Sequence, residues 1–355
     1  MFAYVGCYTT PDRDGRGDGI NVYRMDPTSG EWTHVQLLAD ISNPSFLALD
    51  ARRRRLYCVH GGDTFSQVSA FAIDPASGRL TFLGSQPSGG PNPVALAVDP
   101  SARFLVVANY ANGTAAALPI GPDGSLGPAS DLVELRGEPG PDPVQQTSSH
   151  PHHVAIDPAG RFVLAPDKGL DRVFVFRLDH AGGKLLPSDP PSVRAQPGAA
   201  PRHAVFHPSL PYAYVINELD STLTAYAFDG ERGLLRALEV VPTLPPTFSG
   251  RNTTAEIGVA PSGRFVYGSN RGHDSLAIFA IDGGSGRLTP VGWEPTRGEK
   301  PRYFGLDPSG SFLYAANQDS DTIVTFRVDR ASGKLAPTGQ VVQAGSPVCI
   351  AFAGG

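Results

Sequence analysis

Apolar residues in this chain come in short, strand-length runs separated by turns rich in Gly, Pro and Asp, and the runs repeat. Aligning the chain with itself gives "NPSFLALDARRRRLYCVH" from Asn43, "NPVALAVDPSARFLVVAN" from Asn92, "HPHHVAIDPAGRFVLAPD" from His150, "APRHAVFHPSLPYAYVIN" from Ala200, "TTAEIGVAPSGRFVYGSN" from Thr253 and "KPRYFGLDPSGSFLYAAN" from Lys300. A seventh copy is divided between the ends: "SPVCIAFAGG" supplies its first strand and "MFAYVGCYT" its second. Successive copies start 46 to 58 residues apart, the period of propeller blades.

Each copy can be numbered from the position of Pro44, which recurs as Pro93, Pro151, Pro201, Thr254, Pro301 and Pro347. Position 4 is always small or short (Ala48, Ala97, Ala155, Val205, Gly258, Gly305, Ala351), and positions 3 and 5 are apolar, as expected of an innermost strand squeezed between neighbours. A "DPSG"-type turn leads to a second apolar strand, a third such as "RVFVFRLD" follows, and a second turn leads to a fourth. The pattern predicts an all-β fold, a seven-bladed β-propeller of four-stranded antiparallel blades closed by N- and C-terminal strands that share one blade. No linker divides the chain, so residues 1–355 are expected to form a single domain. Two long insertions, residues 136–150 and 241–254, run into inner strands and are placed to form a lid.

Composition supports the same class: 41 Gly, 34 Pro and only 18% charged residues suit strands and tight turns. The net charge of −5 has no Lys/Arg block, which argues against a nucleic-acid or membrane partner and for a small molecule, on a monomer or weak homodimer. No signal-peptide pattern and no membrane-length apolar run occurs, so a soluble cytoplasmic protein is expected. Cys7, Cys58 and Cys349 form no CxxC motif and are read as free thiols.

Chemistry is sought where copies differ. Strands one and two of a blade are antiparallel, so positions 1, 2, 16 and 17 meet at one mouth of the propeller. Position 16 is Asn in four blades, which suits a backbone-bonding turn role. Position 1 carries His152, Arg202 and Arg302; position 2 carries His153, His203 and Glu256; position 17 carries Lys168, Glu218, Arg271 and Gln318. All of these lie in blades three to six, while the remaining blades carry mostly apolar or small residues. A scaffold gains little from gathering ions on one arc of its axis, where desolvation is costly, so a ligand site is the economical reading. The bland alternative makes Arg202 and Glu218 an ion pair that ties a hairpin. Arg103, Arg161 and Arg264 recur inside the hairpin turn and are read as scaffold.

His150, His152 and His153 raise the question of a metal. His152 and His153 are adjacent on an expected strand and should point to opposite faces, so a shared zinc ion is the weaker reading, and no metal or cofactor is expected. An acid/base histidine beside arginines fits better, with one of the three essential and the others capping the loop.

The hairpins "HPHHVAIDPAGRFVLAPDKGLDRVFVFRLD", "GAAPRHAVFHPSLPYAYVINELDSTLTAYAFD" and "AEIGVAPSGRFVYGSNRGHDSLAIFAID", with the opening "YVGCYT", resemble the seven-bladed lactonase family over essentially the whole chain. That family includes bacterial 6-phosphogluconolactonase and fungal carboxy-muconate lactonizing enzyme. The resemblance implies a catalytic set of His152, Arg202, Glu218 and Arg271, and the other polar residues gathered at the mouth, His150, His153, Lys168, His203, Glu256, Asn270, Arg302 and Gln318, are expected around the substrate. The sequence departs from the family at Gly258, where relatives often carry His, and at Cys7 within the opening motif. Hydrolysis of a sugar lactone, most of all 6-phosphogluconolactone, is expected. In it His152 or Glu218 takes a proton, Arg202 and Arg271 hold negative charge, and Arg302, His203 and Lys168 bind a phosphate. Cycloisomerisation of a carboxy-muconate and a non-catalytic binding propeller are the alternatives.

Overall fold

The computed structural model describes residues 1–50 and 54–353. The turn of the first copy, residues 51–53, and the final two residues of the C-terminal segment lie outside the described residues. Seven four-stranded antiparallel sheets are arranged as blades, with inner strands Pro44–Asp50, Pro93–Val98, Ala155–Ile156, Pro201–Phe206, Thr253–Val259, Pro301–Leu306 and Pro347–Ala353. Each inner strand touches the inner strands of its two neighbours, which closes the ring around a central channel. The seventh blade is the divided one: Pro347–Ala353 pairs with Phe2–Cys7, with Phe2 opposite Ala353 and Cys7 opposite Pro347. Among the described residues no helix is long and apolar enough to cross a membrane.

The repeat numbering is the pairing register. Position 0 lies opposite position 16 in every blade: Pro44 with His60, Pro93 with Asn109, Pro151 with Asp167, Pro201 with Asn217, Thr254 with Asn270, Pro301 with Asn317 and Pro347 with Cys7. Position 3 is buried in all blades (Leu47, Ile257 and Phe304 among them), packed between sheets. Position 5 is only half-buried throughout, its side chains packing against the margins of the hydrophobic clusters.

One feature of the inner strands differs from expectation. The register shifts between positions 0 and 2 in the blades starting at Pro44, Pro93, Pro201 and Pro301, and over Thr254–Ile257 in the fifth. Two residues then oppose one, a β-bulge that re-aims side chains at the mouth. In blade three the regular strand shrinks to Ala155–Ile156, and Pro151 makes an isolated bridge to Asp167. His152 and His153 are therefore not on opposite faces of a flat strand: both rings approach His203, at 5.3 and 4.5 Å between centroids.

Candidate active site

The mouth pocket is narrow and lies on the propeller axis, lined by position-1 side chains (Ser45, Val94, His152, Arg202, Arg302, Val348), by Tyr8, and by Phe46, His203 and Tyr303. Below it an aromatic floor closes the channel. Phe46 meets His153, His203 and Tyr303 edge-on at 5.5, 5.9 and 6.0 Å, and His153 stacks on His203. A wider groove of about 430 Å³ on the outside of blades 7 and 1, beside Leu38, Phe71 and Phe82, has no lysine or arginine among the described residues that line it.

Glu218 is the hub of the charges. Its carboxylate is 2.9 Å from Lys168 Nζ, 2.9 Å from Arg202 Nε and 3.3 Å from Arg271 Nη2. Burial would raise its pKa, but Arg271, Lys168 and Arg202 together hold it well below the ordinary carboxylate range. The Arg202 contact is an ion pair without hydrogen-bond alignment, since Nε has no hydrogen-bond partner there. Arg202 is anchored instead through Nη1, which donates to Ala255 O at 2.6 Å and to His203 Nε2 at 3.0 Å. Because an arginine can only donate, His203 must carry its proton on Nδ1, where it donates to Glu256 at 3.2 Å. Burial and then Arg202 push His203 well below the usual histidine range, while burial raises Glu256 to about 8. Arg271 is held by Thr254 O at 2.6 Å and leaves its buried Nε without a partner.

His152 sits across the pocket, edge-on to Tyr110 at 5.7 Å. Burial first, and Arg202 second, push its pKa well below the usual value, so the imidazole is neutral. Its Nδ1 is buried without a partner, which leaves Nε2 as the nitrogen reaching the pocket. Four cations, Lys168, Arg202, Arg271 and Arg302, thus face a single ionised carboxylate, an excess of positive charge that suits an anionic ligand.

A family profile described as "Lactonase, 7-bladed beta-propeller" matches residues 2–352. The chain belongs to this lactonase family. Within it, a Bacillus subtilis protein named 6-phosphogluconolactonase is 35% identical over 302 residues, covering 85% of this chain and 83% of its own length. A Formosa agariphila protein of the same name is 33% identical over 307 residues, covering 85% of each. The solved structure of a Pseudomonas aeruginosa protein called a periplasmic gluconolactonase superimposes with a TM-score of 0.91 at 33% identity, over 99% of both chains.

In this lactonase fold the twelve residues singled out from sequence divide into three groups. His152, Arg202 and Arg302 line the pocket, with Glu218, Arg271 and Lys168 directly behind. His150 and Gln318 form the rim: His150 stacks on Tyr110 at 4.4 Å and donates from Nδ1 to Tyr110 O, and Gln318 Nε2 donates to Asp319. The remaining four do not present free groups to the pocket. His203 has both nitrogens engaged, His153 and Glu256 lie in or under the floor, and Asn270 is fully buried. Asn270 is bonded to Thr243 O, Thr243 Oγ1, Ser275 Oγ and Asn252 Nδ2, the scaffold role its position in the repeat suggests. A Cβ on Gly258 would meet Phe304 at 3.1 Å, and Gly258 does not border the pocket. Among the described residues no three His, Cys, Asp or Glu side chains are grouped to hold a metal ion. The 136–150 insertion does not stand open. Gln146, nearly fully buried, donates to Lys168 O and Asp171, and Gln145 receives a bond from Lys168 Nζ at 3.1 Å. Sequence reasoning missed Gln145, Tyr110 and Tyr303; Tyr8 and Tyr110 were visible as aromatic outliers at position 17.

Proposed function

We propose that the protein hydrolyses an anionic sugar lactone at the mouth pocket, 6-phosphogluconolactone being the substrate favoured by the names of its relatives. The observation that carries the reading is the surplus of buried cations beside a neutral, pocket-facing histidine. His152 Nε2 takes a proton from water as its oxygen bonds to the lactone carbonyl carbon. The charge that appears on the carbonyl oxygen is met by Arg271 and Arg202, and His152 returns the proton to the ring oxygen as the C–O bond breaks. Glu218 is assigned a positioning role and not a share of the proton transfer, because its carboxylate oxygens are already engaged by Lys168, Arg202 and Arg271. It fixes both guanidinium groups toward the pocket, and the aromatic floor keeps bulk water from screening them.

The reading needs no metal, so assays on EDTA-dialysed protein should retain full activity. On that material Arg271→Ala should lower kcat on 6-phosphogluconolactone by about 10² or more, and His152→Gln by about 10² to 10⁴. The acid limb of kcat/KM should fall below the ordinary histidine range. Full activity in either variant, or activity lost to EDTA and restored by zinc, would overturn the assignment.

A further inference from the structure

Tyr8, at position 17 of the divided blade, is 6% exposed and lies against two guanidinium groups. Arg302 Cζ is 5.3 Å from its ring centroid and Arg13 Cζ is 5.9 Å away. Neither cation is spent. The Arg302 side chain makes no ion pair or hydrogen bond among the described residues. Among the described residues Arg13 pairs only with its neighbour Asp12 at 3.9 Å and Asp63 at 3.6 Å, carboxylates 57% and 82% exposed, and its own Nε is buried without a hydrogen-bond partner.

The segment that carries Arg13 is fastened in place. Pro11–Arg13 form one 3₁₀ turn that ends at Asp14 with φ 50°. Asn43, fully buried, accepts from Thr9 N at 2.7 Å and from Thr10 N at 3.1 Å, and donates to Thr10 Oγ1 at 2.5 Å. Gly61, the position-17 residue of the next blade, packs against Ser45, whose Oγ a Cβ there would meet, while Tyr8 Cε1 lies in ordinary contact at 3.5 Å. Two guanidinium groups held against one ring repel each other, and their fork-shaped donors match a phosphoryl group of nearly two negative charges. The other residues expected to bind phosphate are occupied: Lys168 with Glu218 and Gln145, His203 with Arg202 and Glu256.

We propose that Arg302 and Arg13, both against the ring of Tyr8, form a phosphoryl subsite at the edge of the mouth pocket that Arg302 lines, and that Arg13 sets the preference for phosphorylated over unphosphorylated lactones. This rests on the lactonase reading for its substrate, but it can be tested by binding alone. Calorimetric titration of the wild type with 6-phosphogluconate and with gluconate should show tighter binding of the phosphorylated acid. Arg13→Ala should cut that preference at least tenfold, and Arg13→Lys should restore part of it. The ratio of kcat/KM for 6-phosphogluconolactone over gluconolactone should fall by a similar factor. Equal binding of the two acids by the wild type, or an unchanged preference in Arg13→Ala, would overturn the subsite. If the wild type hydrolyses neither lactone yet binds 6-phosphogluconate through Arg13, the subsite stands and the lactonase reading falls.

Discussion

Glu218 and Glu256 are both buried carboxylates that burial pushes up, and only Glu218 has enough cations in contact to reverse the push. Glu218 has three cations in contact; Glu256 has a neutral imidazole and the Ile257 N–H, and burial raises it to about 8. The folded state therefore keeps a proton on Glu256 between about pH 4.5 and 8 that the unfolded chain has released. Its stabilising contribution is complete below about pH 4.5 and is lost as pH rises toward 8, at about 1.4 kcal/mol per pH unit. Glu256→Gln removes the ionisable group yet can still accept from His203 Nδ1. The melting temperature of the variant minus that of the wild type should grow steadily from pH 5 to 8; a difference that is flat with pH would show that Glu256 is ionised throughout. The two carboxylates were legible in sequence as departures from the repeat, but their division of labour was not. It depends on three successive blades bringing Lys168, Arg202 and Arg271 to one carboxylate, and on a tautomer that only the Arg202–His203 contact fixes.

At the scale of the element, the turn after each third strand does more than reverse the chain. In six of the blades its left-handed glycine receives an aromatic ring from the preceding blade, as Phe265 on Gly333, Tyr212 on Gly286 and Phe312 on Gly30, whereas Gly124 in blade two meets Arg55. In five of the junctions a tyrosine two residues further on donates its hydroxyl to the same glycine carbonyl, as Tyr267 does to Gly333 O at 2.9 Å. The "SG" turns were readable from sequence as turns. Their partners were not, because the contact joins one repeat to the next and leaves no local signature. At Gly333 a Cβ would lie 2.4 Å from Phe265 Cδ1 with φ at 74°, whereas at Gly339, φ 89°, nothing lies within 4 Å. Gly339→Ala should cost only the left-handed penalty of about 1 kcal/mol, and Gly333→Ala about 1–3 kcal/mol more for the clash. Thermal melts of the two variants compare these directly, and equal losses would mean that the blades part easily at this seam. The inner-strand bulge was illegible for a different reason: a period-2 pattern carries no mark of one extra residue where the side chains on both faces are polar, as they are at Arg202 and His203.

The whole molecule depends on one seam formed by segments more than three hundred residues apart. Pro347–Ala353 is hydrogen-bonded only on its outer side, to Phe2–Cys7, and its inner edge faces the channel. It covers Ala3, Tyr4, Val5 and Cys7, all fully buried, and its own Val348 lines the mouth pocket beside Tyr8. The seam was legible because the two terminal half-copies complete one repeat, and no other pairing leaves both first and last blades with four strands. Removing residues 346–355 would expose an apolar strand edge, open a gap between the inner strands at Pro44 and Pro301, and take one wall from the pocket. The truncated protein should melt lower, associate in size-exclusion chromatography, and lose activity together with its affinity for acidic sugars. If it instead keeps the wild-type melting temperature and elution volume, the ring is held by its six continuous blades alone, and the terminal strand serves the pocket without closing the fold.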